Sequence, residues 1–302
     1  MVIKMRILVT GASGLLGSSF VMKFAPRHEI HSIYHRHAPP AGIPVALDLT
    51  DFDRLDRTVK DIRPDVILHA AALTDVDLCE REKELAMKVN SETTARLASL
   101  AKEYGIFMVY VSTDYVFDGS RGLYKEENDP NPTNHYGYSK LKGEETVKEL
   151  ADNSCIARAS AIYGSRPSRG KVNFALWLLE KLRKQERTKV LVDQYVSPTL
   201  SANLAEMLNE IMERRLTGIY HVSGATRLSR YEYAEKLCEV VCLDSSLLDG
   251  ARMEDMDWIA RRPMDSSLDV SKAMRTLNTK PLYIEEALSR FKEELASQCC
   301  QG

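Results

Sequence analysis

Residues 10–17 read Thr10-Gly11-Ala12-Ser13-Gly14-Leu15-Leu16-Gly17, and this stretch decides the fold. It follows the strand-like run 6–10 and precedes an amphipathic segment, 15–24, so the glycines stand between a strand and a helix. The spacing G-x-x-G-x-x-G allows a tight turn and lets backbone N–H groups approach a pyrophosphate at a helix N-terminus. The stretch therefore predicts a dinucleotide-binding turn.

Strand-like and helical segments alternate through the first half of the chain. Apolar runs at 29–34, 66–70 and 107–111 are separated by helical periodicity at 55–62 and 82–104. Such alternation predicts an α/β fold, a Rossmann-type doubly wound parallel sheet with ligands at the carboxyl ends of its strands.

The second half is less regular and predicts a smaller lobe. We expect residues 1–160 to form the NAD(P)-binding domain, with later segments returning to it, and residues 161–302 to form mainly a C-terminal substrate-binding lobe. The segments predicted there are helices at 172–183, 200–214, 231–241 and 284–295, strands at 189–192 and 218–222, and a loop at 244–257. No linker marks a clean boundary.

Composition excludes several classes of protein. The chain has 302 residues, 44% of them apolar, and a net charge of −2 with both signs interspersed, so neither nucleic acid nor an anionic membrane is an expected partner. No apolar run of membrane-spanning length occurs, and the N-terminus lacks a signal-peptide pattern, which predicts a cytoplasmic protein. The six cysteines lack zinc-site spacing, so we predict no metal site.

Tyr136 and Lys140 are the strongest catalytic candidates. A spacing of four residues places them on one helix face, where the ammonium would lower the phenol pKa from about 10 toward neutrality. Such a phenol can exchange a proton at a carbonyl oxygen while a nicotinamide exchanges hydride. The alternative is that both are surface residues, because Y-x-x-x-K is common by chance.

Two further sets of side chains stand at predicted strand ends. Thr113 lies in the run 111–117, which closes a strand at its carboxyl end. Its hydroxyl could hydrogen-bond a substrate carbonyl beside Tyr136, or could merely cap the strand in a Ser-Thr turn. The strand at 29–34 is followed by His35-Arg36-His37 and no acid, so Arg36 favours the 2′-phosphate of NADPH unless it is only a solvated charge. Asp48 and Leu49 are candidates for the adenine end.

Several longer segments make the chain resemble the extended short-chain dehydrogenase/reductase family, and within it the dTDP-4-dehydrorhamnose reductases. Besides the glycine turn and Tyr136/Lys140, the segments are 70–77 (AAALTDVD), 89–90 (VN), 112–119 (STDYVFDG), 136–144 (YGYSKLKGE), 193–199 (DQYVSPT) and 261–269 (RRPMDSSLD). The segments 112–119 and 193–199 are the most specific to that subgroup.

The resemblance implies NAD(P)H-dependent reduction of the C4 ketone of a nucleotide-linked 4-dehydro-6-deoxy sugar. It implies four catalytic residues, namely Thr113, Asp114, Tyr136 and Lys140. The cofactor would be NADPH, with NADH as the alternative. Besides Arg36, Asp48 and Leu49, it would contact Gly11, Ser13, Gly14, Leu15, Leu16, Ala70, Ala71, Ala72 and Ser112. The substrate would contact Thr74, Val76, Thr113, Tyr115, Phe117, Ala161 and Arg262, with Arg262 at its nucleotide.

Two departures and two rival functions remain. Ala161 stands where the family usually has tryptophan and Val196 where it usually has glycine, and both leave the identity of the sugar open. A reductase of another nucleotide-linked keto sugar fits the same residues. So does an NADP-binding regulatory subunit resembling the methionine adenosyltransferase beta subunit, although the intact Thr113-Asp114 pair favours the enzyme. A homodimer is left open.

Overall fold

The structure, a computed structural model, describes residues 4–166 and 172–299. Its strands in chain order are β1 (Arg6–Thr10), β2 (Glu29–Tyr34), β3 (Ile43–Ala46), β4 (Val66–His69), β5 (Phe107–Thr113), β6 (Ser154–Ala159), β7 (Ile162–Tyr163), β8 (Thr188–Leu191), β9 (Tyr195–Val196), β10 (Thr199–Leu200), β11 (Gly218–His221), β12 (Leu228–Ser229) and β13 (Leu248–Ala251). Its α-helices are α1 (Leu15–Phe24), α2 (Phe52–Ile62), α3 (Val76–Arg81), α4 (Lys83–Met87), α5 (Thr93–Tyr104), α6 (His135–Leu150), α7 (Phe174–Arg183), α8 (Ser201–Glu213), α9 (Arg230–Val241), α10 (Ser271–Thr276) and α11 (Ile284–Cys299).

A parallel sheet of seven strands forms the centre of the part of the chain that the structure describes. The strand order is β11-β6-β5-β4-β1-β2-β3, and every neighbouring pair runs parallel. The order changes direction between β1 and β4, which is the switch point where such sheets bind ligands. The predicted Rossmann-type fold is confirmed.

The strands are buried on both faces because helices cover both sides of the sheet. Every residue of β4, β5 and β6 is buried, as continuous apolar runs in a parallel sheet require. Alternate side chains enter different cores: Ile7 and Val9 pack in the cluster beneath α1 and α8, whereas Leu8 packs with residues of α2 and α5.

The C-terminal half contributes both a lobe of its own and part of the central sheet. Residues of α7, α9 and α11 share a second hydrophobic cluster around Tyr233 and Phe291. Strand β11 nevertheless joins the edge of the central sheet beside β6, and α8 packs on α1. Later segments therefore return to the N-terminal unit, while a boundary at residue 160 stays a prediction.

Two predicted segments differ in the structure. The expected helix 82–104 contains one turn of π-helix at Lys88–Glu92 between α4 and α5. The expected loop 244–257 contains β13, which pairs with β8. Strand β3 forms the edge of the central sheet, where three of its four apolar residues are exposed. Among the described residues, no helix combines the length and apolar character that a membrane span requires.

Candidate active site

The glycine turn leaves the N-terminus of α1 open to an anion. Gly11 has a φ of +69°, and a Cβ there would lie 2.8 Å from the Ala71 backbone nitrogen, so the β1 turn and the segment after β4 touch. Gly14 precedes α1, and no described side chain caps the helix. The first N–H groups of α1 are therefore free to bind a phosphate. Gly11, Ser13, Gly14, Leu15 and Leu16 all lie in or directly after this turn.

A buried histidine holds the segment Ala70-Ala71-Ala72 beside that turn. His69 contacts the Thr10 hydroxyl through Nδ1 (2.7 Å) and the Thr94 hydroxyl through Nε2 (3.0 Å), and Thr10 accepts a hydrogen bond from the Ala71 nitrogen. Burial and the nearby Lys140 lower the pKa of His69 to about 3, so the ring is neutral. The sequence prediction missed His69. Its position as the last residue of a strand could have indicated it.

Ser112 supplies an unsatisfied polar atom at the carboxyl end of β5. Its Oγ is buried and has no hydrogen-bond partner among the described residues. A buried hydroxyl without a partner is costly, so a polar group that reaches it would be stabilising. Together with the open turn of α1, this atom fits the proposal that a dinucleotide lies here.

The residues predicted to bind the adenosine end of the cofactor are more exposed than those around the glycine turn. The Arg36 side chain is exposed after β2, and no described residue pairs with it, which leaves the charge free for a 2′-phosphate. Asp48 faces His35 at 3.8 Å and accepts hydrogen bonds from Thr50, whose backbone N–H lowers the Asp48 pKa. Leu49 packs at the edge of the core beneath α2. Their contacts with a cofactor stay predictions.

The structure brings the Tyr136 phenol and the Thr113 hydroxyl together. Asn134 caps α6 by accepting from the Gly137 nitrogen at 2.9 Å, which places Tyr136 in the first turn. A Cβ at Gly137 would collide with the Tyr115 carbonyl oxygen, so this glycine lets α6 approach the end of β5 closely. This approach brings the Tyr136 phenol near the Thr113 hydroxyl, which acts to lower the pKa of Tyr136 against the effect of burial.

Lys140 does not do what its spacing from Tyr136 predicted. Its ammonium is buried, donates to the Val111 carbonyl oxygen at 2.8 Å and lies 4.1 Å from the centroid of the Tyr110 ring. Burial lowers the Lys140 pKa to about 7, with Glu144 opposing that shift. Burial raises the pKa of Tyr136, with Thr113 opposing. The predicted fall of the Tyr136 pKa is therefore wrong for this structure, because desolvation outweighs any effect of the ammonium.

The Asp114 side chain is buried and surrounded by three hydroxyl groups. Its buried carboxylate accepts hydrogen bonds from Thr113 (3.0 Å), Ser160 (2.8 Å) and Ser266 (2.5 Å). Burial raises the Asp114 pKa, and the three hydroxyls oppose that shift. The arrangement joins β5, the end of β6 and the segment before α10. Sequence reasoning missed Ser160 and Ser266, because neither lies near Asp114 along the chain.

The predicted substrate residues fall into two groups. Tyr115 is near Tyr136, because its ring packs edge-on against the Tyr136 ring at 5.9 Å. Ala161 follows β6 with a φ of +42°, and its carbonyl oxygen accepts from the Thr199 nitrogen at 3.3 Å. Thr74 is exposed and Val76 is half-buried, both at the start of α3.

Phe117 and Arg262 have other partners. Phe117 is fully buried, stacked on Tyr124 at 4.3 Å and covered by Arg158, so its ring does not line an open site. Arg262 forms two hydrogen bonds with Asp77, of 2.8 and 2.9 Å, and lies over Trp258. The structure therefore corrects the expectation for Phe117, and it places the Arg262 charge on a carboxylate instead of an open pocket.

Comparison with known proteins gives the family. A family model described as RmlD substrate binding domain matches residues 5–297. The chain belongs to this family. A relative, the "Probable low-salt glycan biosynthesis reductase Agl14" of Haloferax volcanii, is 34% identical over 292 residues, covering 95% of this chain and 97% of the relative. Methionine adenosyltransferase 2 subunit beta of Xenopus laevis is 32% identical over 275 residues, covering 88% and 81%.

A solved structure of an RmlD-family enzyme has the same architecture. The dTDP-4-dehydrorhamnose reductase of Bacillus anthracis, in complex with NADP, superposes with a TM-score of 0.87 at 32% identity. The superposition covers 97% of this chain and 100% of that chain. This chain therefore shares its arrangement of sheet and lobe with that reductase.

Proposed function

We propose that the protein is an NADPH-dependent reductase that acts on the C4 ketone of a nucleotide-linked 4-dehydro-6-deoxy sugar, with dTDP-4-dehydrorhamnose as the first candidate. The observation that carries the proposal is the proximity of the Thr113 hydroxyl and the Tyr136 phenol at the carboxyl end of β5, where α6 approaches that strand closely. Two further features support a bound dinucleotide: the N-terminus of α1 has no side-chain cap, and the buried Ser112 hydroxyl has no hydrogen-bond partner among the described residues. The names of the relatives agree with this chemistry.

Each residue has a defined task in this proposal. Bound NADPH would supply hydride to the carbonyl carbon. Tyr136 would give its proton to the carbonyl oxygen, and its raised pKa keeps it protonated until negative charge develops there. The Thr113 hydroxyl donates to Asp114 in the structure, so it must turn toward the substrate oxygen to polarise it. Lys140 keeps its ammonium close to Tyr110 and Val111, where it could also meet a ribose hydroxyl.

A regulatory role is the second candidate, because a methionine adenosyltransferase beta subunit is among the relatives. The same site residues are compatible with NADP binding without turnover. A reductase for another nucleotide-linked keto sugar is the third, since the Haloferax relative is named only as a glycan biosynthesis reductase. A cytoplasmic location and a homodimer stay predictions from the sequence.

The test is an assay with purified protein, NADPH and dTDP-4-dehydro-6-deoxy-L-mannose, followed by loss of the reduced-nicotinamide absorbance. We expect turnover by the parent and a loss of roughly 100-fold or more in kcat for Tyr136→Phe, which retains the ring but has no proton to give. Tyr138→Phe is the matched control, because Tyr138 is exposed on the same helix. Tight NADPH binding without turnover of this or related keto sugars would count against the reductase and favour the regulatory role.

A further inference from the structure

Arg230 carries a charge that the described structure does not neutralise. It is half-buried at the start of α9, where its Nε donates to the Gln194 side-chain oxygen at 3.3 Å. Its guanidinium lies 5.3 Å from the centroid of the Phe174 ring. No carboxylate among the described residues pairs with it, and residues 167–171 contain neither Asp nor Glu. The two terminal nitrogens therefore remain available to an anion.

The neighbouring arginines differ from Arg230 in this respect. Arg227 pairs with Asp265 at 2.6 Å and stacks on Tyr195. Arg262 is held by Asp77 at 2.8 Å. A guanidinium that is bound to a carboxylate must give up that partner before it can bind phosphate. Arg230 has no such cost.

A chain of contacts connects Arg230 with the reacting phenol. The Gln194 side chain that accepts from Arg230 is also close enough to the Tyr115 phenol to act on its pKa, which it lowers against the effect of burial. The Tyr115 ring in turn packs against Tyr136. Burial raises the pKa of both Tyr115 and Asp114, and the Arg230 charge opposes that shift in each, so the charge is within electrostatic reach of the groups around Thr113. Arg230 and Tyr136 thus lie on one side of the site, separated by Tyr115 and Gln194.

The chemistry of the substrate class calls for a cation that is close to the reacting phenol without touching it. In a pyranose linked to a nucleotide through C1, the C4 ketone and the diphosphate are at opposite ends of the ring. With the ketone at Tyr136 and Thr113, the diphosphate must lie one sugar ring away. A planar guanidinium whose two terminal nitrogens are free is well suited to bind phosphate oxygens in a bidentate manner.

We propose that Arg230, oriented by Gln194, binds the diphosphate of the nucleotide-linked substrate, in place of the Arg262 expected from sequence. This inference rests on the proposed function, because it requires a substrate that carries a diphosphate. It also gives a role to Gln194 of the segment 193–199, to which the sequence analysis assigned none. The backbone supports the arrangement, since the Arg230 nitrogen donates to the Gln194 carbonyl oxygen at 2.9 Å.

The test measures binding of dTDP, UDP, dTMP and NADPH to the full chain by titration calorimetry. We expect the parent to prefer dTDP over dTMP, and Arg230→Gln to weaken dTDP binding by about 10- to 100-fold while dTMP and NADPH binding change little. Arg187→Gln is the matched control, because Arg187 is an exposed arginine paired with Asp249 in the same lobe, and it should bind as the parent does. Arg262→Gln is compared in parallel.

Each outcome decides the question. A loss of the preference for diphosphate over monophosphate in Arg230→Gln, with NADPH binding intact, supports the proposal. If Arg230→Gln keeps that preference, or if Arg262→Gln loses it instead, Arg230 is not the diphosphate ligand. Should the Gln variant fail to bind NADPH, Arg230→Met replaces it, because its apolar stem can still pack on Phe174. A parent that binds neither dTDP nor UDP contradicts the proposed function itself.

Discussion

Lys140 is tied to Val111 across the interface between α6 and β5, where its ammonium donates to the Val111 carbonyl oxygen at 2.8 Å. The contact holds α6, which carries Tyr136, against the strand that carries Thr113. It also keeps an ammonium in a buried place, which lowers the Lys140 pKa to about 7. An acid–base group of this kind affects stability as well as chemistry.

The stability of the cofactor-free protein is expected to depend on pH through Lys140. Unfolded lysine holds its proton up to a pKa of about 10.4, whereas folded Lys140 releases it above about 7, so the unfolded state binds more protons between these values. The free energy of unfolding should therefore rise with pH there. Lys140→Met lacks this contribution, and its stability relative to the parent should fall by about 1 kcal/mol per pH unit.

Urea denaturation at pH 7, 8 and 9 measures the Lys140 effect. Lys142→Met is the control, because the Lys142 ammonium is more exposed and paired with Glu145, which raises its pKa above this range. Parallel stability curves for the parent and Lys140→Met would show that Lys140 does not titrate there. The lost hydrogen bond to Val111 shifts the Met curve as a whole without changing its slope.

The Thr113 hydroxyl is expected to contribute to the chemical step and not to cofactor binding. Thr113→Val keeps the shape of the side chain but removes the group that contacts Tyr136 and Asp114. We expect kcat to fall roughly 10²-fold, with NADPH affinity unchanged. Thr113→Ser, which retains the hydroxyl, should recover most of the rate. Equal activity of the Val and Ser variants would remove Thr113 from the mechanism.

The buried ion pair of Glu144 and Arg158 is expected to be strongly coupled. Both side chains are almost fully buried, and they form two hydrogen bonds, of 2.8 and 2.6 Å, between α6 and β6. Glu144→Gln leaves a buried charge without its partner and should lower the free energy of unfolding by roughly 3–5 kcal/mol. The double variant with Arg158→Met should cost much less than the sum of the single changes. Additive losses in this double-mutant cycle would contradict the coupling.

Asp77 is expected to hold the segment around Arg262 against α3. Its carboxylate accepts from the backbone nitrogens of Ile259 (3.1 Å) and Ala260 (2.9 Å) as well as from Arg262. In Asp77→Ala we expect amide exchange at Ile259 and Ala260 to become about 10- to 100-fold faster, because those N–H groups lose their acceptor. Asp257→Ala, at an exposed position of the same segment, serves as the control.

The pH dependence gives a second measurement on Asp77. Its hydrogen bonds with Arg262 lower the Asp77 pKa to about 2, below the ordinary carboxyl value. A depressed carboxyl pKa stabilises the folded form above pH ~4, and this contribution is lost as the pH falls toward 2. Protection of the two amides, corrected for intrinsic exchange, should follow that loss. Protection that persists at pH 2 would show that other contacts hold the segment.

The sequence was most informative where a property is local. The glycine turn, the apolar strands and the positions of Tyr136 and Thr113 depend on neighbours within a few residues, and these were predicted. The partner of Arg262 is Asp77, 185 residues earlier in the chain, and no local pattern reveals such a pair. The predicted effect of Lys140 on Tyr136 was wrong for a related reason. Helical spacing gives the face of α6 on which Lys140 lies, but it does not reveal that the Val111 carbonyl oxygen of β5 accepts a hydrogen bond from it.

Strand β11 has a consequence for how the chain can be synthesised and divided. A polypeptide that ends near residue 160 would expose the hydrogen-bonding edge of β6 and the face of α1 that α8 covers. Nascent chains of that length would be open to strand pairing with other chains until residues 201–221 have emerged. A gene fragment that encodes only the N-terminal half is therefore a poor unit for recombination, and the two halves are expected to be inherited together.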